Sequence, residues 1–123
     1  MSGSDNKKPN IIREKSYAFA VGIIKLYQKV SGDNKEYVLS RQLLKSGTSI
    51  GANVREAINA ESGPDFIHKL AIAQKECDET LYWLELMKET GYIVENQYSK
   101  LYNKAHELLK IIRSIILSSK SNS

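Results

Sequence analysis

A row of positive side chains on one predicted helix is the best candidate for chemistry in this sequence. Arg41, Lys45 and Arg55 share a narrow arc when residues are spaced as in an α-helix, and Thr48 and Ala52 lie between them. None of these five positions is acidic. Phosphates repel one another and are bound by positive charges spread over a surface. We call these three cations the basic row and predict that it binds phosphate.

The distribution of charge along the chain allows two interpretations of the basic row. Residues 1–60 carry ten Lys or Arg against five Asp or Glu, residues 61–95 three against eight, and residues 96–123 five against one. A positive surface would attract nucleic acid, with Lys25 and Lys29 extending its field. Alternatively, the basic row pairs with the acidic third helix of the same or a neighbouring copy.

Other reactive residue types are present, but their spacing does not predict an active site. Di-metal helical bundles need a Glu-x-x-His pair on each of two helices, whereas here Asp65 precedes His68 and Asn103 precedes His106. Cys77 lies in an apolar stripe, which predicts a buried and inert thiol. We therefore expect a protein that is not an enzyme and has no metal or cofactor.

The composition favours a single all-α domain. The chain has 123 residues, of which 41% are hydrophobic, with only two prolines and seven glycines. Its single cysteine and the lack of a leader pattern predict a reducing cytoplasmic setting, and no apolar run predicts a membrane span.

Four segments repeat apolar residues with a helical period. They begin near residues 12, 35, 65 and 96 and end near residues 30, 60, 90 and 118, with turn residues between them. Short turns make an antiparallel up-down-up-down four-helix bundle the simplest topology. We expect this bundle to span residues 11–118, between disordered tails at residues 1–10 and 119–123.

Two glycines in the second helix predict a close helix contact. Glycine costs about 1 kcal/mol relative to alanine inside a helix, yet Gly47 and Gly51 occur one turn apart on the same side. Their presence is best explained by a neighbouring helix that leaves no room for a side chain.

The third helix carries more apolar surface than one core stripe requires. Beyond that stripe lies a second patch with Ile72, Trp83, Leu86 and Met87, and Tyr82 adjoins it. Aromatic residues at this spacing could stack on bases, but beside leucines they more often fill an interface. We interpret the patch, together with the broad apolar face of the fourth helix, as a contact between copies in an oligomer.

Three segments resemble the bacterial four-helix-bundle family associated with intervening sequences in large-subunit ribosomal RNA. They are LSRQLLKSGTSIGANVREA at residues 39–57, DFIHKL at residues 65–70 and ETLYWLEL at residues 79–86, within a similarity that spans about residues 11–116. The resemblance implies a homopentamer of antiparallel bundles around a central opening. A similar protein, the accessory variability determinant of diversity-generating retroelements, works with a reverse transcriptase and nucleic acid through a basic surface.

The sequence thus supports two hypotheses about function. The first is an oligomeric scaffold that binds RNA, DNA or a ribonucleoprotein through the basic row. The second is a structural adaptor that recruits a protein, for example one that processes nucleic acid, without touching nucleic acid itself.

Overall fold

The computed structural model describes residues 3–121, with side chains from Pro9 onward. These residues form four helices: α1 (Gly3–Asp33), α2 (Val38–Ile58), α3 (Gly63–Glu89) and α4 (Glu95–Ser121). Each helix contacts the next, and α1 also contacts α4, which closes a four-helix bundle. The described residues contain no strand, so the all-α prediction is confirmed. None of their helices has the length and apolar character needed to cross a membrane.

The core forms where the apolar stripes of the four helices meet. The largest side chains that are fully buried come from every helix: Ile12, Ile23, Leu43, Ile50, Leu70, Leu84, Met87, Leu108 and Ile112. Burying each such side chain contributes roughly 1.5–3 kcal/mol. Met87 is a correction to the sequence analysis, because it was predicted to lie in the outer patch and is instead completely buried.

The first helix is longer than predicted. Residues 3–10 were expected to belong to a disordered tail, but α1 begins at Gly3 and contains Pro9. A helix already nucleated by packing can extend by one hydrogen bond per residue without repaying the nucleation cost. The fourth helix likewise continues to Ser121, beyond its predicted end. Residues 1–2 and 122–123 of the predicted tails lie outside the described residues.

A glutamate carboxylate caps the start of α2. The backbone N–H groups of Val38, Leu39 and Ser40 each donate to Glu36 at 2.9 Å. Partial burial raises the pKa of Glu36, but these donors together outweigh it and leave that pKa below its ordinary value. The sequence pattern does not predict this cap, because Glu36 precedes the N-cap position, which Tyr37 occupies.

The turns on either side of α3 follow the sequence signals. The Ser62 hydroxyl accepts a hydrogen bond from the backbone N–H of Asp65 at 3.2 Å, which caps the start of α3. At the other end Gly91 has φ +83°, a conformation that favours glycine, and Tyr92 N–H donates to Met87 O at 2.9 Å. Gly91 therefore forms the turn after α3, where the sequence predicts turn residues between two helical segments.

The helices α1 and α2 approach closely at the two glycines. A Cβ on Gly51 would lie 3.3 Å from the backbone oxygen of Ser16, so the backbones are close there, as predicted. A Cβ on Gly47 would lie 2.8 Å from Cγ1 of Ile23, so the restriction there comes from a buried side chain. On another side of α2, the Ser46 and Thr80 hydroxyl oxygens lie 3.0 Å apart in the core.

Gly47→Ala is expected to destabilise the bundle, whereas Gly32→Ala should stabilise it. At Gly47 the added methyl overpacks the core, and a typical overpacking cost of about 1–3 kcal/mol exceeds the helix-propensity gain of about 1 kcal/mol. At Gly32, also in a helix, a Cβ meets nothing within 4 Å, so a gain of about 0.4–1 kcal/mol is expected. Urea unfolding measures both. Equal stability of the two variants would show that the Gly47 contact does not limit packing.

Candidate nucleic-acid interface

The basic row lies on the outer surface of α2. Arg41, Lys45 and Arg55 are all exposed, as their helical spacing predicts. The Arg41 guanidinium carbon lies 5.8 Å from the centre of the Tyr37 ring, and that of Arg55 lies 5.3 Å from the centre of the Tyr17 ring on α1. Cation–π contacts of this kind hold an arginine in place without neutralising its charge.

A groove between α1 and α2 extends the basic row at Arg55. It has a volume of about 210 Å³, and its walls include Arg13, Tyr17 and Arg55. Gly51 and Ala52 line it as well, so small residues on α2 leave space beside the arginines. Arg13 was not among the predicted site residues. Its position beside Arg55 depends on the register of α1 against α2, which the sequence pattern does not give.

Lys45 lies on the side of the basic row that faces the acidic third helix. Burial raises the pKa of Glu76, and repulsion from Glu79 raises it further, whereas the positive charge of Lys45 opposes this rise. The second interpretation of the basic row, pairing with α3, therefore has some physical support at Lys45. Arg41 and Arg55 make no ion pair with the side chains described from residue 9 to residue 121.

Lys25 and Lys29 lie in a different groove from the basic row. Together with Lys100 and Lys104 of α4 they line a groove of about 320 Å³ between α1 and α4, which we call the lysine groove. All four lysines are exposed. Lys25 and Lys29 were expected to extend the field of the basic row, but they line a different groove, because nothing in the sequence specifies which face of α1 meets which helix.

The predicted interface residues share one side of α3 but differ in exposure. Tyr82 is 55% exposed, whereas Ile72, Trp83 and Leu86 are half-buried. Trp83 packs against the core of its own chain, and its indole N–H donates to Glu79 at 3.3 Å. The Tyr82 and Trp83 rings meet edge to face with their centres 5.0 Å apart.

The reactive residue types considered from the sequence do not converge. Cys77 is completely buried, as predicted. Burial raises the pKa of its thiol to about 12, and the neighbouring carboxylates of Asp78 and Glu76 add to that rise. In the part of the chain that the structure describes, no three His, Cys, Asp or Glu side chains are grouped so that they could hold a metal ion.

Two further features were missed by the sequence analysis. Tyr98, Tyr102 and His106 form a stack along α4, with centre-to-centre distances of 5.1 and 6.1 Å. Their i, i+4 spacing was the available signal. A groove of about 930 Å³ lies at the start of α3 between Phe66, Ile67 and residues that include Ser119 of α4. No sequence signal pointed to it, because it depends on how two helix ends meet.

Comparison with known proteins finds similarity over most of the chain. The family model described as 23S rRNA-intervening sequence protein matches residues 8–114. A crystal structure of a protein of unknown function from the S23 ribosomal protein family of Bacteroides thetaiotaomicron is 51% identical, with a TM-score of 0.87. That similarity covers 89% of this chain and 97% of the other. The family match and the similar structure confirm the family resemblance. No curated protein sequence matches.

Cys77 is expected to resist a thiol-specific disulfide reagent at pH 8 while the protein is folded. Its thiol is buried, and with a pKa of about 12 almost none of it is the reactive thiolate. In urea the same residue should release one equivalent of reporter, because an unfolded cysteine has a pKa near 8.5. Absorbance of the released reporter measures both rates. Equal rates in buffer and in urea would contradict a buried thiol.

Proposed function

Because the chain belongs to the 23S rRNA-intervening sequence protein family, we propose that it is a non-enzymatic cytoplasmic scaffold that binds nucleic acid or a ribonucleoprotein. The observation that carries this proposal is the exposed basic row, in which Arg41 and Arg55 rest on tyrosine rings instead of carboxylates. A cation that is positioned but not neutralised remains available to phosphate.

The geometry of the basic row favours binding that is largely independent of base sequence. Phosphate contacts position a protein on nucleic acid but carry no direct sequence information. The row lies on the outer surface of α2, and its cations are separated by small or polar side chains such as Thr48 and Ala52. We therefore propose contacts to the backbone of the nucleic acid, with affinity that falls steeply as salt increases.

We propose that the bundle is antiparallel, up-down-up-down. Contacts between helices support this topology, because residue numbers rise along one helix as they fall along its partner. In α1 and α2, Gly47 faces Ile23 and Gly51 faces Ser16. Between α2 and α3, Ser46 pairs with Thr80, whereas Glu56 binds Lys69.

We further propose that five copies assemble in a ring, as the family resemblance implies. The proposed interface is the α3 patch of Ile72, Tyr82, Trp83 and Leu86. Tyr82 is 55% exposed, and the half-buried Trp83 lies directly beside it, so the pair presents aromatic surface to a neighbouring copy. A ring would repeat the basic row, so weak phosphate contacts would add through multivalency.

A protein-recruiting adaptor is the second candidate function. Tyr17, Val21 and Ile24 are exposed and occur four and three residues apart, which places them on one face of α1. An apolar stripe of this kind favours a protein partner. A chain that assembles normally but fails to bind nucleic acid at low salt would support this alternative over the scaffold.

The combined variant Arg41→Gln, Lys45→Gln and Arg55→Gln is expected to weaken binding to a fluorescein-labelled 20-nucleotide RNA of mixed sequence. Removing each cation that binds a phosphate should reduce the slope of log K against log salt by about 0.7. Fluorescence anisotropy at several salt concentrations measures this slope.

The matched control for the basic row is Lys75→Gln, Lys110→Gln and Arg113→Gln. It removes the same charge from exposed positions on α3 and α4. If both triple variants change the slope equally, the basic row is not the binding site, since the effect would then reflect net charge alone.

Trp83→Ala is expected to shift the oligomer toward smaller species while the helices remain. If Trp83 is buried between copies, its removal costs roughly 3–5 kcal/mol at each interface. Light scattering in line with size exclusion gives the mass, and circular dichroism gives the helix content. Tyr92→Ala, another half-buried aromatic that packs on the core, controls for a general loss of packing. An unchanged mass would remove Trp83 from the interface.

A further inference from the structure

We infer that the lysine groove between α1 and α4 binds the phosphodiester backbone of an RNA strand. The inference rests on the proposed function and adds a second binding surface to it. Lys25, Lys29, Lys100 and Lys104 are the residues that would contact phosphate. No residue of the basic row lines this groove.

The groove is built from two lysine pairs that face each other across two helices. Lys25 and Lys29 are one turn apart on α1, and Lys100 and Lys104 are one turn apart on α4. Gly22 of α1 and Leu101 of α4 also line the groove, and a Cβ on Gly22 would lie 3.4 Å from Cδ2 of Leu101. The two helices therefore meet at this apolar contact, and the four exposed lysines line the groove beside it.

The lysine groove has no counter-charge of its own. Like charges at i, i+4 repel each other on a helix surface, and this groove contains two such pairs. None of the four lysines forms an ion pair with any side chain described from residue 9 to residue 121. Its wall residues also include no carboxylate. An anion bound between the helices would relieve this repulsion.

The neighbouring part of the same helix pair shows what a neutralised groove looks like. There Lys15 of α1 binds Glu107 of α4 at 3.0 Å, and both line an adjacent groove of about 170 Å³, which Lys104 lines as well. Glu107 is the only acidic residue after residue 95 in the sequence. The chain therefore balances charge at one end of the α1–α4 contact and leaves the other end positive.

Charge complementarity and continuity favour an RNA backbone as the occupant. A strand carries one negative charge per nucleotide, so it can satisfy several lysines at once. Lysine suits this role because its ammonium binds phosphate as a point charge without a fixed orientation. On the other side of α1, Arg13 and Arg55 line the groove against α2. A polyanion long enough to reach both sides of α1 could contact these arginines as well as the lysines, which a short acidic peptide cannot do.

The test replaces all four lysines with glutamine and measures anisotropy with the same labelled RNA across several salt concentrations. The slope of log K against log salt is expected to fall by about 3, since each lysine that binds a phosphate accounts for about 0.7. At low salt the affinity should fall at least tenfold. Circular dichroism should show no change, because all four positions are exposed.

Two companion variants show whether the lysines form one site. The pair Lys25→Gln and Lys29→Gln, and the pair Lys100→Gln and Lys104→Gln, should each reduce the slope by about 1.4. Replacing all four with arginine keeps the charge and should preserve binding. A loss of binding in the arginine variant would contradict a site that recognises charge alone. A DNA strand with the same dependence on these lysines would support the site, because phosphate contacts carry no sugar identity.

The outcomes separate the lysine groove from the proposed function. If RNA binds the wild type and the glutamine variant with the same slope, the lysine groove is wrong while the scaffold function stands. If the wild type binds neither RNA nor DNA at low salt, both are wrong; if it binds DNA but no RNA, the lysine groove is wrong as an RNA site and the scaffold function stands. If the variant binds RNA normally but changes in oligomer mass, the groove holds an acidic surface of a second copy, which also overturns the inference.

Discussion

The close contact between α1 and α2 is the constraint on which the rest of the structure depends. It requires glycine at positions 47 and 51, because Ile23 and the backbone of Ser16 occupy the space that a Cβ would need. The same run of small residues leaves the outer surface open beside Arg55, which reaches across to Tyr17. Packing inside the bundle and the shape of the basic surface therefore have a common origin in the composition of one segment.

The first helix organises the charged surfaces because cations line a groove on each of its two sides. On its α2 side Arg55 rests on the Tyr17 ring and Arg13 lines the same groove, and on its α4 side four lysines line the lysine groove. By contrast, α3 carries more acidic residues than any other helix, and its Lys69 forms an ion pair with Glu56 of α2. The bundle thus separates its charges by helix, so that the α1 side is more positive and the α3 side is more negative.

The fold was predictable from the sequence to a greater extent than the candidate site. Helical periodicity identified the four helices and the burial of Cys77, since a core stripe is a local pattern. Helical periodicity placed Met87 in the outer patch, because a residue at the edge of an apolar arc can face either the core or the surface. That Lys25 and Lys100 line the same groove depends on which helices are neighbours and on their register, and these are properties of the folded chain alone. The basic row was identified correctly as an exposed surface, since its members lie on one helix.

The position of the single tryptophan has a practical consequence for following the protein in solution. Trp83 lies on the α3 surface beside Tyr82, and Cys77 lies six residues earlier in the core, about 9 Å away along the helix axis. Separation of subunits at the proposed interface would change the tryptophan's emission and leave the thiol shielded, whereas unfolding would alter both. The native chain therefore carries two intrinsic reporters, the fluorescence of Trp83 and the reactivity of the Cys77 thiol. Together they distinguish dissociation from denaturation, and neither requires a label on the basic surfaces.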